Sequence, residues 1–226
     1  MTNRTIYHGF LFLFSKSTVF VAPILAASIL DNYHYGLLEW AISVSFLLAT
    51  FLSFASGNTI AFEKIKNDHS PLIRMGKQYS LFLFLIVALC TFLSDIFYDS
   101  YTLTLVLGIS SILIIQDPLS AYIKAAGLGA RATVFDSALY IFLMLILLFT
   151  FLNDSNKILY LTTFPLFGCV MAFLVNKVIK NSSKISTDTF LDFIKRGFPI
   201  MVSGMIGVLF FSLPRLVLGT YSTTLV

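Results

Sequence analysis

Charge is scarce in this chain. Only 12% of its 226 residues are Asp, Glu, Lys or Arg, whereas 58% are hydrophobic and mean hydropathy is +0.90. A soluble domain of this size could not clothe its surface with so few charged groups. Cysteine is nearly absent as well. Cys90 and Cys169 both fall inside apolar runs and read as small core residues rather than a disulfide or metal pair. His8, His34 and His69 lack metal-ligand spacing, and the chain has no glycine-rich phosphate loop and no nucleophile elbow. These absences argue against an enzyme, and no catalytic residue, metal or cofactor is assigned.

What fills the chain instead is a series of apolar runs, each about as long as the roughly 20 residues a helix needs to cross a bilayer. They lie near 7–30, 36–62, 79–97, 101–123, 134–152, 158–176 and 198–219. Barrel strands would alternate with period two over about 10 residues, which these runs do not. The expected fold class is therefore all-α, a polytopic transmembrane bundle of about seven spans.

Basic residues crowd into alternate connectors. Arg4 precedes the first span; Lys64, Lys66, Arg74 and Lys77 follow the second; Lys124 and Arg131 follow the fourth; Lys177, Lys180, Lys184, Lys195 and Arg196 precede the seventh. The other connectors hold Lys157 with Asp31, Asp95, Asp99 and Asp154. The positive-inside bias then places the N-terminus in the cytoplasm. Topology accounts for the basic loops without nucleic acid, for which no stacking motif is present. The first run resembles a secretory signal, with Arg4 before it and Ala26-Ala27-Ser28 after it. Ser15-Lys16-Ser17 interrupts its middle, however, so a retained helix is expected.

The short connectors 31–35, 95–100 and 153–157 imply antiparallel neighbours. The longest connector, 176–196, carries Phe190, Phe193 and Ile194 on one helical side and Asp188, Asp192 and Lys195 on the other. That pattern predicts a short helix lying on the membrane surface, or else a soluble turn. Pro199 suits the first turn of the helix that follows. The expected organisation is a six-helix lobe over 1–180, a basic cytoplasmic or interfacial linker over 181–196, and the first helix of an incomplete second lobe over 197–226.

Several polar residues interrupt the spans. Gly36, Ser43, Thr50 and Gly57 recur every seven residues, which fits either close helix contact or a water-lined face. Gly9, Lys16 and Pro23 repeat that spacing in the first span, followed by Ala27. Lys16 falls near the midplane, where an ammonium costs about 2.5–3.5 kcal/mol or more. It either faces a wet cavity, forms an ion pair or snorkels. A lysine turned outward, with nothing hollow behind it, would remove the cavity role. Asp117 precedes Pro118 and adjoins Gln116. It can pair with Lys16 or hydrate from the cytoplasmic side. Arg215 lies toward the outer end of the last span, within easy snorkelling reach. Glu39, beside Trp40, is read as interfacial or gating. Asp136, close after Arg131, is read as a carboxylate at a helix N-terminus.

The order of certain segments resembles the multidrug/oligosaccharidyl-lipid/polysaccharide exporter superfamily, especially its Wzx-type polysaccharide (O-antigen) flippases. They are Ala22-Pro23-Ile24-Leu25-Ala26, Tyr35-Gly36-Leu37-Leu38, Phe193-Ile194-Lys195-Arg196-Gly197-Phe198-Pro199 and Pro214-Arg215-Leu216-Val217-Leu218-Gly219. The resemblance implies a lobe of an alternating-access transporter. It would flip a polyprenyl-diphosphate-linked oligosaccharide across a bacterial cytoplasmic membrane during surface polysaccharide and lipopolysaccharide assembly. Lys16 and Arg215 would receive the anionic diphosphate, and Asp117 or Glu39 would serve coupling or ion pairing. Partners would be the lipid-linked oligosaccharide, membrane lipids and other polysaccharide-assembly membrane proteins. Family members have about twelve helices or more, so seven implies either a truncated chain or a function that needs another chain. A cation-coupled multidrug exporter of the same fold and a non-transporting membrane protein are the alternatives.

Overall fold

The computed structural model describes residues 3–98, 101–153, 163–180 and 186–224. Asp99, Asp154, Lys157 and Lys184 lie outside the described residues, as do the side chains of Arg4, Asp95 and Arg215. Among the described residues there are nine helices and no strand: α1 (Asn3–Ile29), α2 (Asn32–Ser53), α3 (Ser56–Lys66), α4 (Pro71–Tyr98), α5 (Tyr101–Ala125), α6 (Gly129–Asp136), α7 (Ala138–Asn153), α8 (Phe164–Val178) and α9 (Thr187–Thr224). Five of the helices are long and apolar enough to cross a membrane, and the bent pair α6–α7 adds a sixth. The 15-residue α8 reaches only about 22 Å at 1.5 Å per residue, short of the ~30 Å hydrocarbon core. The protein is a polytopic helical membrane bundle.

Helix α5 is its axis. Of its most apolar stretch, 78% is buried inside the bundle, against 17–39% for the other candidate spans. Ile109, Ile112, Ile114, Ile115 and Leu119 are fully enclosed, and α2, α3, α4, α6 and α8 pack around it. Because lipid is as apolar as leucine, burial alone does not hold such helices together; close packing and interhelical hydrogen bonds do. Ser45 of α2 donates to the Val106 carbonyl at 2.8 Å. The Ser94 and Thr104 hydroxyls lie 3.0 Å apart across α4 and α5. Gly168 lets α8 approach α4, since a β-carbon there would lie 2.5 Å from the Phe84 ring. The outer sides of α1, α4 and α9 carry exposed Phe10, Phe20, Phe92, Phe97, Phe210 and Phe211, as a lipid-facing surface requires.

The basic connectors gather at one end. Lys64 of α3 sits 4.8 Å from the Tyr122 ring near the end of α5. Lys77 donates to the Asn176 and Ile179 carbonyls at the end of α8, at 3.2 and 2.9 Å, a cation placed where the helix dipole is negative. At the opposite end Asp31 caps α2 through the His34 amide, and His34 meets Tyr101 edge-on.

Three expectations are corrected. The span read as 36–62 is not one helix: Phe54 and Ala55 both adopt left-handed backbone, φ 47° and 51°, and split it into α2 and α3. The span read as 134–152 opens with α6, and the α6–α7 pair bends by 50° at Ser137. The surface helix and the last span are one 38-residue helix, with Pro199 in its interior. Phe193 packs into the bundle against Tyr79, fully buried, rather than lying on lipid. Local amphipathicity near 190 was legible; its partner was a protein surface, which periodicity alone cannot distinguish from a membrane one.

Candidate functional site

Both helix breaks are serviced by the same stretch of α5, from Gln116 to Lys124. A broken helix inside a bilayer frees backbone groups that water cannot reach, and each must find a partner in the protein. At the α6–α7 break the Gln116 side chain supplies both. Its amide nitrogen donates to the Asp136 carbonyl at 2.6 Å, and its oxygen accepts from the Leu139 amide at 3.1 Å. The Asp136 carboxylate accepts from Ser120 and pairs with Lys124 at 2.6 Å. Asp136 closes α6 rather than capping α7, so the expectation of a simple helix N-terminal carboxylate gives way to an ion pair with α5.

The α2–α3 break is held from three sides. Gly57, in the first turn of α3, donates its amide to the Asp117 carboxylate. A β-carbon at 57 would lie 2.6 Å from Asp117 Cγ and 2.8 Å from Oδ1, so only glycine admits the carboxylate. The orphan donors and positive end of a helix dipole are where an anion is most stable. Ser56 and Ser80 hydroxyls bond at 3.0 Å. Tyr79 of α4 donates to the Leu52 carbonyl at 2.7 Å and so satisfies the end of α2. From α9, Gly197 backs onto the Phe54 carbonyl.

The Asp117 side chain is exposed, whereas Gln116, Pro118, Leu119 and Ser120 around it are buried.

Toward the basic end of α3, Glu63 is almost wholly buried and pairs with Arg196 of α9, Oε1 to Nη1 at 2.6 Å. Lys64 pairs with Asp68. Burial alone would lower the Lys64 pKa, but the bonds to Asp68 and Tyr122 outweigh it and hold it above the usual lysine value. Sequence reading passed over Glu63. Its sole signal was a carboxylate at the start of a connector that carries four basic residues.

Lys16 does not join this group. The buried side of α1 is Ser15, Thr18, Ala22 and Ala26, and α1 packs chiefly on α6 and α7. Lys16 is exposed on the other side, its ammonium 6.0 Å from the Phe12 ring centre. The Lys16–Asp117 pair considered from sequence does not form. Instead Asp117 takes the Gly57 amide, and Lys16 lies outside the bundle formed by the described residues. The α1 stripe is open at Gly9 and partly exposed at Pro23. The α2 stripe is mixed: Gly36 is open, Thr50 lies in contact range of Gly204, and Gly57 meets Asp117. Glu39 is half-buried in α2, and its carbonyl accepts from Ser43 at 2.9 Å. The backbone at Arg215 continues α9.

No family model, curated protein or solved structure matches the chain. The site must be read from its own geometry.

Proposed function

We propose that the chain is a membrane transporter component of a bacterial cytoplasmic membrane, with its basic end and N-terminus in the cytoplasm. Its proposed cargo is a lipid-linked anionic oligosaccharide, flipped for surface polysaccharide assembly. The observation that carries transport is the broken α6–α7 span beside α5, whose freed backbone groups are met by Gln116. Interrupted helices at membrane depth are tolerated where they are buried or line a cavity, and transporters build their sites from them.

The anionic cargo rests on the resemblance described above. Lys16 faces outward from the bundle formed by the described residues, so a cargo role for it holds only with a further lobe or chain laid against that side of α1. The cation-coupled exporter is the second reading, favoured by the accessible Asp117 carboxylate.

Substitution at these two positions separates the readings. In cells that depend on the chain for surface polysaccharide, Lys16→Ala is expected to abolish export while Lys16→Arg preserves it. Under the exporter reading Lys16→Ala leaves polysaccharide unchanged and Asp117→Asn alters drug tolerance. If deleting the chain changes neither polysaccharide nor drug tolerance, the transport proposal is withdrawn.

A further inference from the structure

The α2–α3 joint carries more than the transport reading uses. Two consecutive residues, Phe54 and Ala55, hold left-handed backbone, and neither is glycine. Side chains with a β-carbon avoid that region because it crowds the carbonyl oxygen. The local sequence Phe51-Leu52-Ser53-Phe54-Ala55-Ser56 contains no proline. The glycine that follows it, Gly57, lies within α3 and not at the left-handed pair, and a lone glycine costs a helix only about 1 kcal/mol. Left to itself it would run straight on. The bend is therefore imposed by contacts from elsewhere, and strain held this way marks switch regions.

Every imposing contact comes from another helix. Asp117 of α5 takes the Gly57 amide, Tyr79 and Ser80 of α4 hold Leu52 and Ser56, and Gly197 and Arg196 of α9 hold Phe54 and Glu63. The bent arrangement also leaves one defect: the Thr59 hydroxyl in α3 is buried with no hydrogen-bond partner. Burying an unpaired polar group is unfavourable, so the bent state is not uniformly satisfied.

We infer that α3 is a hinged gate at the basic end of the bundle. It is bent shut by the Gly57–Asp117 and Glu63–Arg196 contacts, and it opens by straightening into line with α2. Straightening relieves the strain at Phe54 and Ala55, separates Glu63 from Arg196 and parts the Gly57 amide from Asp117. The hinge stands on the joint alone. Its meaning as a gate rests on the transport reading.

The test measures the joint without any cargo. Cys90→Ser and Cys169→Ser remove the native thiols, and Tyr33→Cys and Ile65→Cys place spin labels on exposed positions at opposite ends of α2–α3. A continuous helix would separate these Cα atoms by about 48 Å at 1.5 Å per residue, and the bend shortens that. In lipid nanodiscs the parent protein is expected to show the short distance. Asp117→Asn and Glu63→Gln should each add a population near the long one, raising the open-to-closed ratio roughly tenfold. Adding Ala55→Gly to Asp117→Asn should restore the short distance, because glycine accepts the left-handed backbone. Helix content by circular dichroism separates hinge opening from unfolding. If the folded variants all superimpose on the parent, the hinge is wrong. If the joint opens while polysaccharide export is untouched by the same substitutions, the hinge survives and the transport reading fails.

Discussion

Gly57 and Asp117 meet across two helices so closely that the glycine hydrogen and the carboxylate occupy the space of one side chain. The contact joins a backbone donor in the first turn of α3 to the carboxyl group of Asp117 on the central helix. Neither residue is understandable alone. The glycine is small because of the aspartate, and the aspartate is positioned by the amide that the glycine leaves accessible.

Gly57→Ala should therefore destabilise the protein by about 1–3 kcal/mol, the usual cost of overpacking a filled site. Asp117→Ala removes the obstruction, so the double variant should lose less than the sum of the two singles. Thermal denaturation in detergent across the four-member cycle measures this, with a coupling above about 0.5 kcal/mol expected for groups in contact. Additive losses would mean that the two do not touch.

Two glycines of α9 should behave oppositely. A β-carbon at Gly197 would lie less than 3.0 Å from the Phe54 carbonyl oxygen, a backbone atom that cannot rotate away, whereas nothing lies within 4 Å of one at Gly207. Gly197→Ala should lower the melting temperature by several degrees. Gly207→Ala should leave it unchanged or raise it, because alanine is the better helix former by about 0.5–1 kcal/mol.

Gln116→Leu puts an apolar side chain of similar size in place of the amide and leaves the Asp136 carbonyl and the Leu139 amide unpaired. Each orphaned buried group costs about 1–3 kcal/mol. Amide hydrogen exchange should accelerate around 137–141 by tenfold or more and change little at the Ser45–Val106 contact between α2 and α5. Uniform acceleration would instead indicate global loosening.

Orientation can be read from opposite ends of one helix pair. In the cysteine-free background, a thiol at exposed Lys66 should be shielded from a membrane-impermeant reagent in intact cells. A thiol at exposed Tyr33 should be labelled. The reverse pattern would invert the proposed topology.

The helical membrane class and the approximate positions of most spans were legible from hydropathy, because a bilayer rewards any run of about 20 apolar residues whatever its neighbours. Asp117 and Gln116 were visible as a polar patch for the same reason: such groups are expensive among apolar ones and stand out. Glu63 was not, since a carboxylate in a basic connector looks like ordinary solvated charge until Arg196 is seen beside it. Nor was the break at Phe54–Ala55. That segment holds no helix stopper, and its bend is written in Tyr79, Asp117 and Gly197 on three other helices.

The sequence by itself determined that this chain dissolves in lipid, because composition sets the solvent in which burial is favourable. Only the tertiary structure decided that α5 would be the enclosed axis, that Lys16 would face away from it and that the α6–α7 span would bend beside it. Those outcomes depend on which side chains meet across helices. One-dimensional periodicity carries no record of such meetings.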